Sequence, residues 1–446
     1  MSEKEKSTMP KNVLTFTKGG VHPEDRKFLS NKKPIEILPI PKEVIVSLSQ
    51  HLGAPAKALK AKGDTVVKGE KIGTASSFIS AEVHSPVSGK IKEIRKVRLA
   101  NSVNCDAYVI VTDESADEVT FDKIDWKSKS REELLATIKD LGVVGMGGAT
   151  FPAHVKFSIT KGKVAKYLVI NGVECEPYLT SDHRTMLERA EGALEGIMII
   201  AKVIGATEII VGVEQNKMDA IKHLKEVVKQ NNYSISIQPL KMKYPQGDEK
   251  QLLKATINKE IPSGKLPLDI GAVVSNIGTC YAVYEACAFN KPLIERVVCV
   301  TGECINEPKN IVAPVGTKIG EIIDYCGGFK EEPDKIVSGG PMMGFAFQNL
   351  DTPIQKGTSG IISIKVENTK AETACISCGK CVQACPIGLM PTMLYRNIKN
   401  GNYEVALNKF SLMDCKECGC CAFVCPSHIP LVHTFKFGKK MARRKK

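Results

Sequence analysis

The period of the apolar positions changes along the chain. Between residues 34 and 112, short apolar runs at 35–38, 44–48, 65–67 and 108–111 alternate with Gly and Pro, the pattern of a domain built from short strands. A linker follows over 113–129. At Ser130 the period lengthens: Ser130 and Glu133 stand in capping-box spacing, Leu134, Leu135, Ile138 and Leu141 share one face, and Gly142 closes the helix. From 143 to 290 strands and helices alternate. Strands are predicted over 166–170, 208–213, 234–240 and up to Val274, and helices over 184–204, 218–229, 251–257 and 279–289. Such alternation predicts an α/β layer with a mostly parallel sheet. Residues 294–365 return to short β elements around one short helix at 319–326, and 370–430 are rich in cysteine.

Composition narrows the class. The chain has 446 residues, 43% hydrophobic and 25% charged, which is ordinary globular material. At roughly 150 residues per domain it has room for about three domains. A spanning helix needs about 20 apolar residues in a row. The best candidate, starting at Gly196, is stopped by Lys202, so no transmembrane span is expected. The first eleven residues are charged, with no apolar core for a signal peptide. The net charge is +13, and seven basic residues crowd the last eleven positions: Lys436, Lys439, Lys440, Arg443, Arg444, Lys445 and Lys446. Residues 431–446 therefore read as a basic tail, either solvated or a docking surface for anionic lipid or an acidic partner. No other feature points to nucleic acid.

Cysteine usage points to metal. Of sixteen Cys, eight form Cys375-x2-Cys378-x2-Cys381-x3-Cys385-Pro386 and, forty residues on, Cys415-x2-Cys418-x2-Cys421-x3-Cys425-Pro426. This is the bacterial two-cluster ferredoxin run, in which the fourth Cys ligates the other cluster. One [4Fe–4S] cluster is assigned to Cys375, Cys378, Cys381 and Cys425, and the other to Cys415, Cys418, Cys421 and Cys385. Zinc would use two CxxC pairs instead. Cys420 is expected to be a small buried neighbour. The clusters pass single electrons, so something else must handle a two-electron substrate.

A glycine loop is the candidate. Gly145-Met146-Gly147-Gly148-Ala149-Thr150-Phe151-Pro152 lies between two predicted helices, with Lys156 one turn into the second. Glycines let backbone N–H groups approach a phosphate, and a helix start adds its positive end. No Gly-Lys-Ser/Thr follows, and a helix precedes the loop, so it is neither a P-loop nor a Rossmann fingerprint. The loop resembles the flavin-mononucleotide loop of the NADH-oxidising subunit of respiratory complex I. Asn171-Gly-Val-Glu174-Cys-Glu176-Pro, Tyr244-Pro-Gln-Gly247-Asp248-Glu249 and Ser275-Asn276-Ile-Gly278 are similar to further motifs of that family, in the same order. The resemblance implies that Gly145, Gly147, Gly148, Lys156, Asn171, Glu174, Gly247 and Asn276 hold FMN. It implies that Phe151, Glu176 and Glu249 face NAD(H). The chain departs from the pattern at Met146, where an Arg is usual, and at Thr150, Asp248 and Ser275.

Two flanking regions extend the resemblance. Lys62-Gly-Asp-Thr-Val-Val-Lys68-Gly-Glu70 with His84-Ser-Pro-Val-Ser-Gly-Lys-Ile91 resembles the barrel-sandwich hammerhead of lipoyl and biotinyl carriers, without a modifiable Lys at the hairpin. Residues 294–365, with Ser338-Gly-Gly-Pro341-Met342-Met343-Gly344, resemble a β-grasp module of the SLBB kind. Together with Gly20-Val21-His22-Pro23, these parts resemble the C-subunit family of the Rnf complexes. The implied fold is multidomain α/β: an extension over 1–33, a barrel-sandwich over 34–112, a flavin/NAD core over 130–290, the β-grasp over 294–365, the two-cluster ferredoxin domain over 370–430 and the basic tail. The implied function is electron transfer between two [4Fe–4S] clusters and NAD(H) through FMN. It would take place in a membrane-bound ferredoxin:NAD⁺ oxidoreductase that exports Na⁺ or H⁺. The implied partners are the other subunits of such a complex, with ferredoxin exchanging electrons through them, and the implied place is peripheral, on the cytoplasmic side of the membrane. Hydride transfer needs no amino-acid general base, so no catalytic acid or base is named. Two rival readings are a relay or scaffold subunit without flavin, and the flavin subunit of a soluble NAD-linked hydrogenase or dehydrogenase.

Overall fold

The computed structural model describes residues 13–366 and 371–444. The charged stretch at 1–11, position 370 at the start of the cysteine domain, and Lys445 and Lys446 lie outside the described residues.

The α/β core is a four-stranded, wholly parallel sheet in the order Ser236–Leu240, Glu208–Glu214, Tyr167–Gly172, Ala272–Asn276. Chain order reverses between Tyr167–Gly172 and Ala272–Asn276. Open parallel sheets offer a ligand crevice at such a switch point, outside the carboxyl ends of the strands. Asn171 and Asn276 are register partners at those two carboxyl ends. Behind the sheet, Ala190–Ile204 packs on Ile277–Phe289 so closely that a Cβ on Gly196 would overlap the Cys280 carbonyl.

The helix expected over 184–204 is two helices, Ser181–Glu188 and Ala190–Ile204, broken at Arg189 (φ −131°, ψ 26°). Tertiary contacts account for the break. Ser181–Glu188 is tied at its start to Glu174 and at its end by Glu188, which accepts from the Ile35 amide. Arg189 lies over the Tyr281 ring. The apolar period runs through both pieces and shows no break.

The barrel-sandwich is formed by a four-stranded and a three-stranded antiparallel sheet spanning Glu43–Ser47 to Asn104–Thr112. The run at 35–38 was expected there. Instead, Ile35–Ile37 pairs in parallel with Lys309–Pro314 and forms the edge of the six-stranded β-grasp sheet. An edge strand is recruited by whichever backbone lies beside it, and its own sequence does not say which.

The basic tail is also not free. Leu431–Arg444 is a helix whose Leu431, Phe435 and Ala442 are buried, and a Cβ on Gly438 would meet Ile398. Those four positions recur at helical spacing and make one apolar stripe. Lys439 is turned inward and donates to the Cys415 carbonyl and to Glu417, each at 2.7 Å. Lys436, Lys440 and Arg443 thus lie on the exposed face of an ordered helix.

Candidate functional site

The glycine loop hangs over the switch point. Val144 bridges Pro152, and the Gly145 amide donates to the Phe151 carbonyl at 2.8 Å, closing the loop at its neck. The Met146 amide donates to Thr279 Oγ1 at 2.9 Å. A Cβ on Gly147 would stand 3.0 Å from Cβ of Asn276, so the loop lies directly on the second switch-point strand. Gly148 has φ +135° and open space around it, a conformation an L side chain rarely adopts. Gly147, Gly148 and Ala149 are exposed, and among the described residues their amides donate to no protein group.

The other switch-point motifs meet the loop from below. Asn276 caps Ile277–Phe289, accepting from the Gly278 amide, and its amide nitrogen donates to Asp182 at 2.7 Å. Asn171 donates to the Gly247 carbonyl at 2.9 Å, and a Cβ on Gly247 would meet Cys175 and Asn171 at 3.2 and 3.3 Å. Lys156 and Glu249 pair at 3.0 Å, both about one-third exposed. Phe151 is half-buried in the loop. Glu249 opens Glu249–Ile257, which is capped by Asp248.

Two expected positions are occupied differently. Glu174 accepts from the Asp182 and His183 amides and from Ser181 Oγ, so it serves the start of Ser181–Glu188. Glu176 was expected to face NAD(H). Its two oxygens accept from the Met342 and Met343 amides at 2.9 and 3.0 Å. A Cβ on Gly340 would collide with its carboxyl carbon. The β-grasp loop 340–344 thus lies on the acid that the resemblance turns toward NAD(H). Burial pushes the Glu176 carboxyl up to about 7.

Sequence reasoning missed several residues that hold this site. Arg296, buried in the β-grasp sheet, places its guanidinium 2.9 Å from Met146 Sδ and 3.3 Å from the Met146 carbonyl. The cation missing from position 146 thus arrives from another module. Arg296 faces Asp182, whose carboxyl is pushed up to about 6 by burial and then by Glu174. Lys217 donates to the Val173 carbonyl at 2.8 Å, and Lys27 to the Glu176 and Leu179 carbonyls, so two buried lysine side chains grip the loop after Asn171. Only Asp182 carried a local signal, as an Asp just ahead of the helix expected over 184–204. Arg296, Lys27 and Lys217 have no motif around them.

The cysteines gather in two groups. Cys375, Cys378, Cys381 and Cys425 line one cavity. Cys421 lies in the electrostatic field of Cys415, Cys418 and Cys385. Burial raises the thiol of Cys415 to about 11 and raises Cys421 too, whereas a hydrogen bond with Cys420 lowers that of Cys418. Among the described residues no three His, Cys, Asp or Glu converge as a site for one metal ion. The thiols of Cys375, Cys378, Cys381 and Cys425, arranged around a cavity, suit a cluster, which is a body several atoms across. The glycine loop passes a comparable test for a flavin phosphate: free amides, a nearby Lys156, and a crevice that added Cβ atoms on Gly147 and Gly247 would narrow. Cys420 is fully buried beside Tyr244.

Residues 15–115 match the RnfC barrel sandwich hybrid domain, 138–285 the Nuo51 FMN-binding domain, 297–346 the SLBB domain and 374–429 the 4Fe-4S dicluster domain. The C-subunit of the proton-translocating ferredoxin:NAD⁺ oxidoreductase complex of Clostridium ljungdahlii is 44% identical over 90% of this chain and 88% of its own. The C-subunit of the ion-translocating oxidoreductase complex of Rhodobacter capsulatus is 40% identical over 96% and 83%. The C-subunit of the Na⁺-translocating ferredoxin:NAD⁺ oxidoreductase complex of Acetobacterium woodii is 40% identical over 84% and 85%. Among solved structures, an NAD⁺-reducing [NiFe]-hydrogenase in its H2-reduced state shares the fold with TM-score 0.51 at 15% identity, over 72% of this chain and 64% of that one.

Proposed function

Because the chain belongs to the C-subunit family of the ion-translocating ferredoxin:NAD⁺ oxidoreductases, the Rnf complexes, we propose that it exchanges electrons between NAD(H) and two [4Fe–4S] clusters through FMN. The complex it joins would couple that flow to Na⁺ or H⁺ translocation. The observation that carries this reading is the glycine loop lying on Asn276 at the sheet's switch point, with free amides, in a chain that also gathers two thiol quartets.

Bound FMN would supply the one group able to exchange hydride on one side and single electrons on the other. The chain's residues do the rest. Gly145, Gly147 and Gly148 would admit the phosphate to backbone amides, with Lys156 adding charge. Asn171, Gly247 and Asn276 would shape the floor of the crevice. Glu174 acts one step back, holding Ser181–Glu188 and with it Asp182, which fixes Asn276. Phe151 and Glu249 would face the nucleotide, as would Glu176 once it leaves the Met342 and Met343 amides. The quartet of Cys375, Cys378, Cys381 and Cys425 would hold one cluster, and that of Cys415, Cys418, Cys421 and Cys385 the other. Among the described residues no helix is long and apolar enough to cross a membrane. As a subunit of such a complex that exchanges electrons with NAD(H), the chain would sit peripherally on the cytoplasmic side, bound to the other subunits and exchanging electrons with ferredoxin through them.

The test is anaerobic reconstitution with iron, sulfide and FMN, followed by NADH. About eight irons, one flavin and bleaching of both chromophores are expected. Eight irons with no flavin retained and no response to NADH would leave a relay subunit.

A further inference from the structure

The Gly19-Gly20-Val21 segment has no part in the site described so far, and it joins three pieces of that site. Upstream, Leu14 bridges Leu240, the last residue of the sheet's edge strand. Val21 and Tyr244 exchange a pair of backbone hydrogen bonds, each 2.9 Å. Between them, the Gly20 amide donates to the Ala384 carbonyl at 3.0 Å. Both glycines have positive φ, +57° and +87°, and neither has room for a side chain. A Cβ on Gly19 would stand 2.5 Å from the Cys385 carbonyl oxygen, and one on Gly20 would stand 2.9 Å from that of Tyr244. Tyr244 is buried, and its hydroxyl donates to the Cys418 carbonyl at 2.8 Å. Three residues after Tyr244 comes Gly247, on which Asn171 rests.

Both grips fall on the second quartet, at Cys385 and Cys418. The first quartet has a different setting: Cys378 is exposed, Ile376 beside it is 68% exposed, and Cys381 contacts Thr392 within the same domain.

We propose that Gly19-Gly20-Val21 and Tyr244 are positioning residues that clamp the second quartet against the Gly247 side of the crevice. Electrons exchanged with the nucleotide then pass first through that quartet's cluster, and the first quartet's cluster serves the partner. This rests on the flavin reading above. Each NADH gives up a hydride, leaving NAD⁺. Its two electrons go out singly, reducing two one-electron acceptors, and one proton is released. Two single transfers per hydride make the spacing between crevice and cluster decisive.

The test uses the full reconstituted chain with Gly20→Ala, Tyr244→Phe and, as a strain control, Gly63→Ala, whose glycine has φ +96° and no neighbour within 4 Å. Stopped-flow absorbance separates flavin bleaching by NADH from cluster bleaching. Amide hydrogen exchange reads 240–247 and 382–388 against 190–204. For Gly20→Ala the expected result is unchanged flavin bleaching, cluster bleaching slowed at least tenfold, and faster exchange at 240–247 and 382–388 only. Tyr244→Phe, which keeps the ring, slows cluster bleaching severalfold, and Gly63→Ala changes neither rate. Wild-type cluster rates in both Gly20→Ala and Tyr244→Phe would overturn the proposal. If Gly20→Ala loses iron, Tyr244→Phe decides alone. If the wild-type protein takes up no flavin, the flavin reading falls, and exchange in Gly20→Ala still decides whether the clamp exists.

Discussion

The two cysteine runs are near copies that have been put to different use. Their backbones repeat in detail: Ser377 and Glu417 have φ +58° and +59°, and Gly379 and Gly419 +75° and +84°. Their surroundings do not repeat. Around the first quartet of thiols lie Thr392, Tyr395 and open surface. Around the second lie Tyr244, Met342 and the inward-turned Lys439. Ligand spacing sets which cofactor a run holds. Its neighbours set which way the electron goes.

The largest effect comes from removing one quartet at a time. Cys421→Ala and Cys378→Ala should each lower iron from about eight to about four per chain. Only Cys421→Ala should leave the remaining cluster unreduced by NADH while the flavin still bleaches. Iron analysis with stopped-flow absorbance reads both, and equal loss of cluster reduction in the two variants would erase the difference between the runs.

A matched glycine pair comes next. Gly379→Ala and Gly419→Ala both force a side chain into the left-handed region, at a cost of about 1–2 kcal/mol each. A Cβ on Gly419 also stands 3.2 Å from the Met342 carbonyl, whereas one on Gly379 meets nothing. Gly419→Ala should therefore cost on the order of 1 kcal/mol more, seen as a lower unfolding midpoint in denaturant. Equal midpoints would mean that the second run is not pressed against the β-grasp loop.

A tyrosine pair is subtler. Tyr244→Phe gives up the bond to the Cys418 carbonyl, worth about 1 kcal/mol. Tyr395→Phe gives up only an exposed contact of 3.4 Å to Glu372 and should be neutral within about 0.5 kcal/mol. The same denaturation experiment separates them.

The smallest effect is on pH dependence. The Glu176 carboxyl, which anchors the loop lying on Gly419, is raised from 4.5 to about 7 by burial. The folded state then holds its proton where the unfolded chain has lost it. This contribution to stability is present below pH 4.5 and is lost as pH rises through about 7. Glu176→Gln should flatten the fall in melting temperature across that window. An unchanged slope would show that Glu176 is not the group responsible.

Much of this was legible in advance. The two cysteine runs, the alternating core and the Gly145–Lys156 loop are local patterns with a physical meaning of their own, and the capping box at Ser130 and Glu133 formed as read. The errors share one cause. Arg189 breaks a helix because Glu174 and Tyr281 hold its two sides, and Ile35–Ile37 joins the β-grasp because Lys309–Pro314 lies beside it. Residues 431–444 form a helix because Leu431 and Phe435 join a core with Leu394, Ile398 and Ala406 of the ferredoxin domain. Each outcome depended on a partner distant in sequence.

The division between sequence and tertiary structure follows the range of the forces. Thiol spacing, glycine conformation and hydrophobic period act within a few residues, and they determined on their own that this chain carries cluster ligands and a phosphate-type loop on an α/β core. Burial and close approach act between segments hundreds of residues apart. Only the folded chain could decide that Arg296 stands at Met146, that Glu176 is covered by Met342 and Met343, and that Gly19 and Gly20 lie against Cys385 and Tyr244.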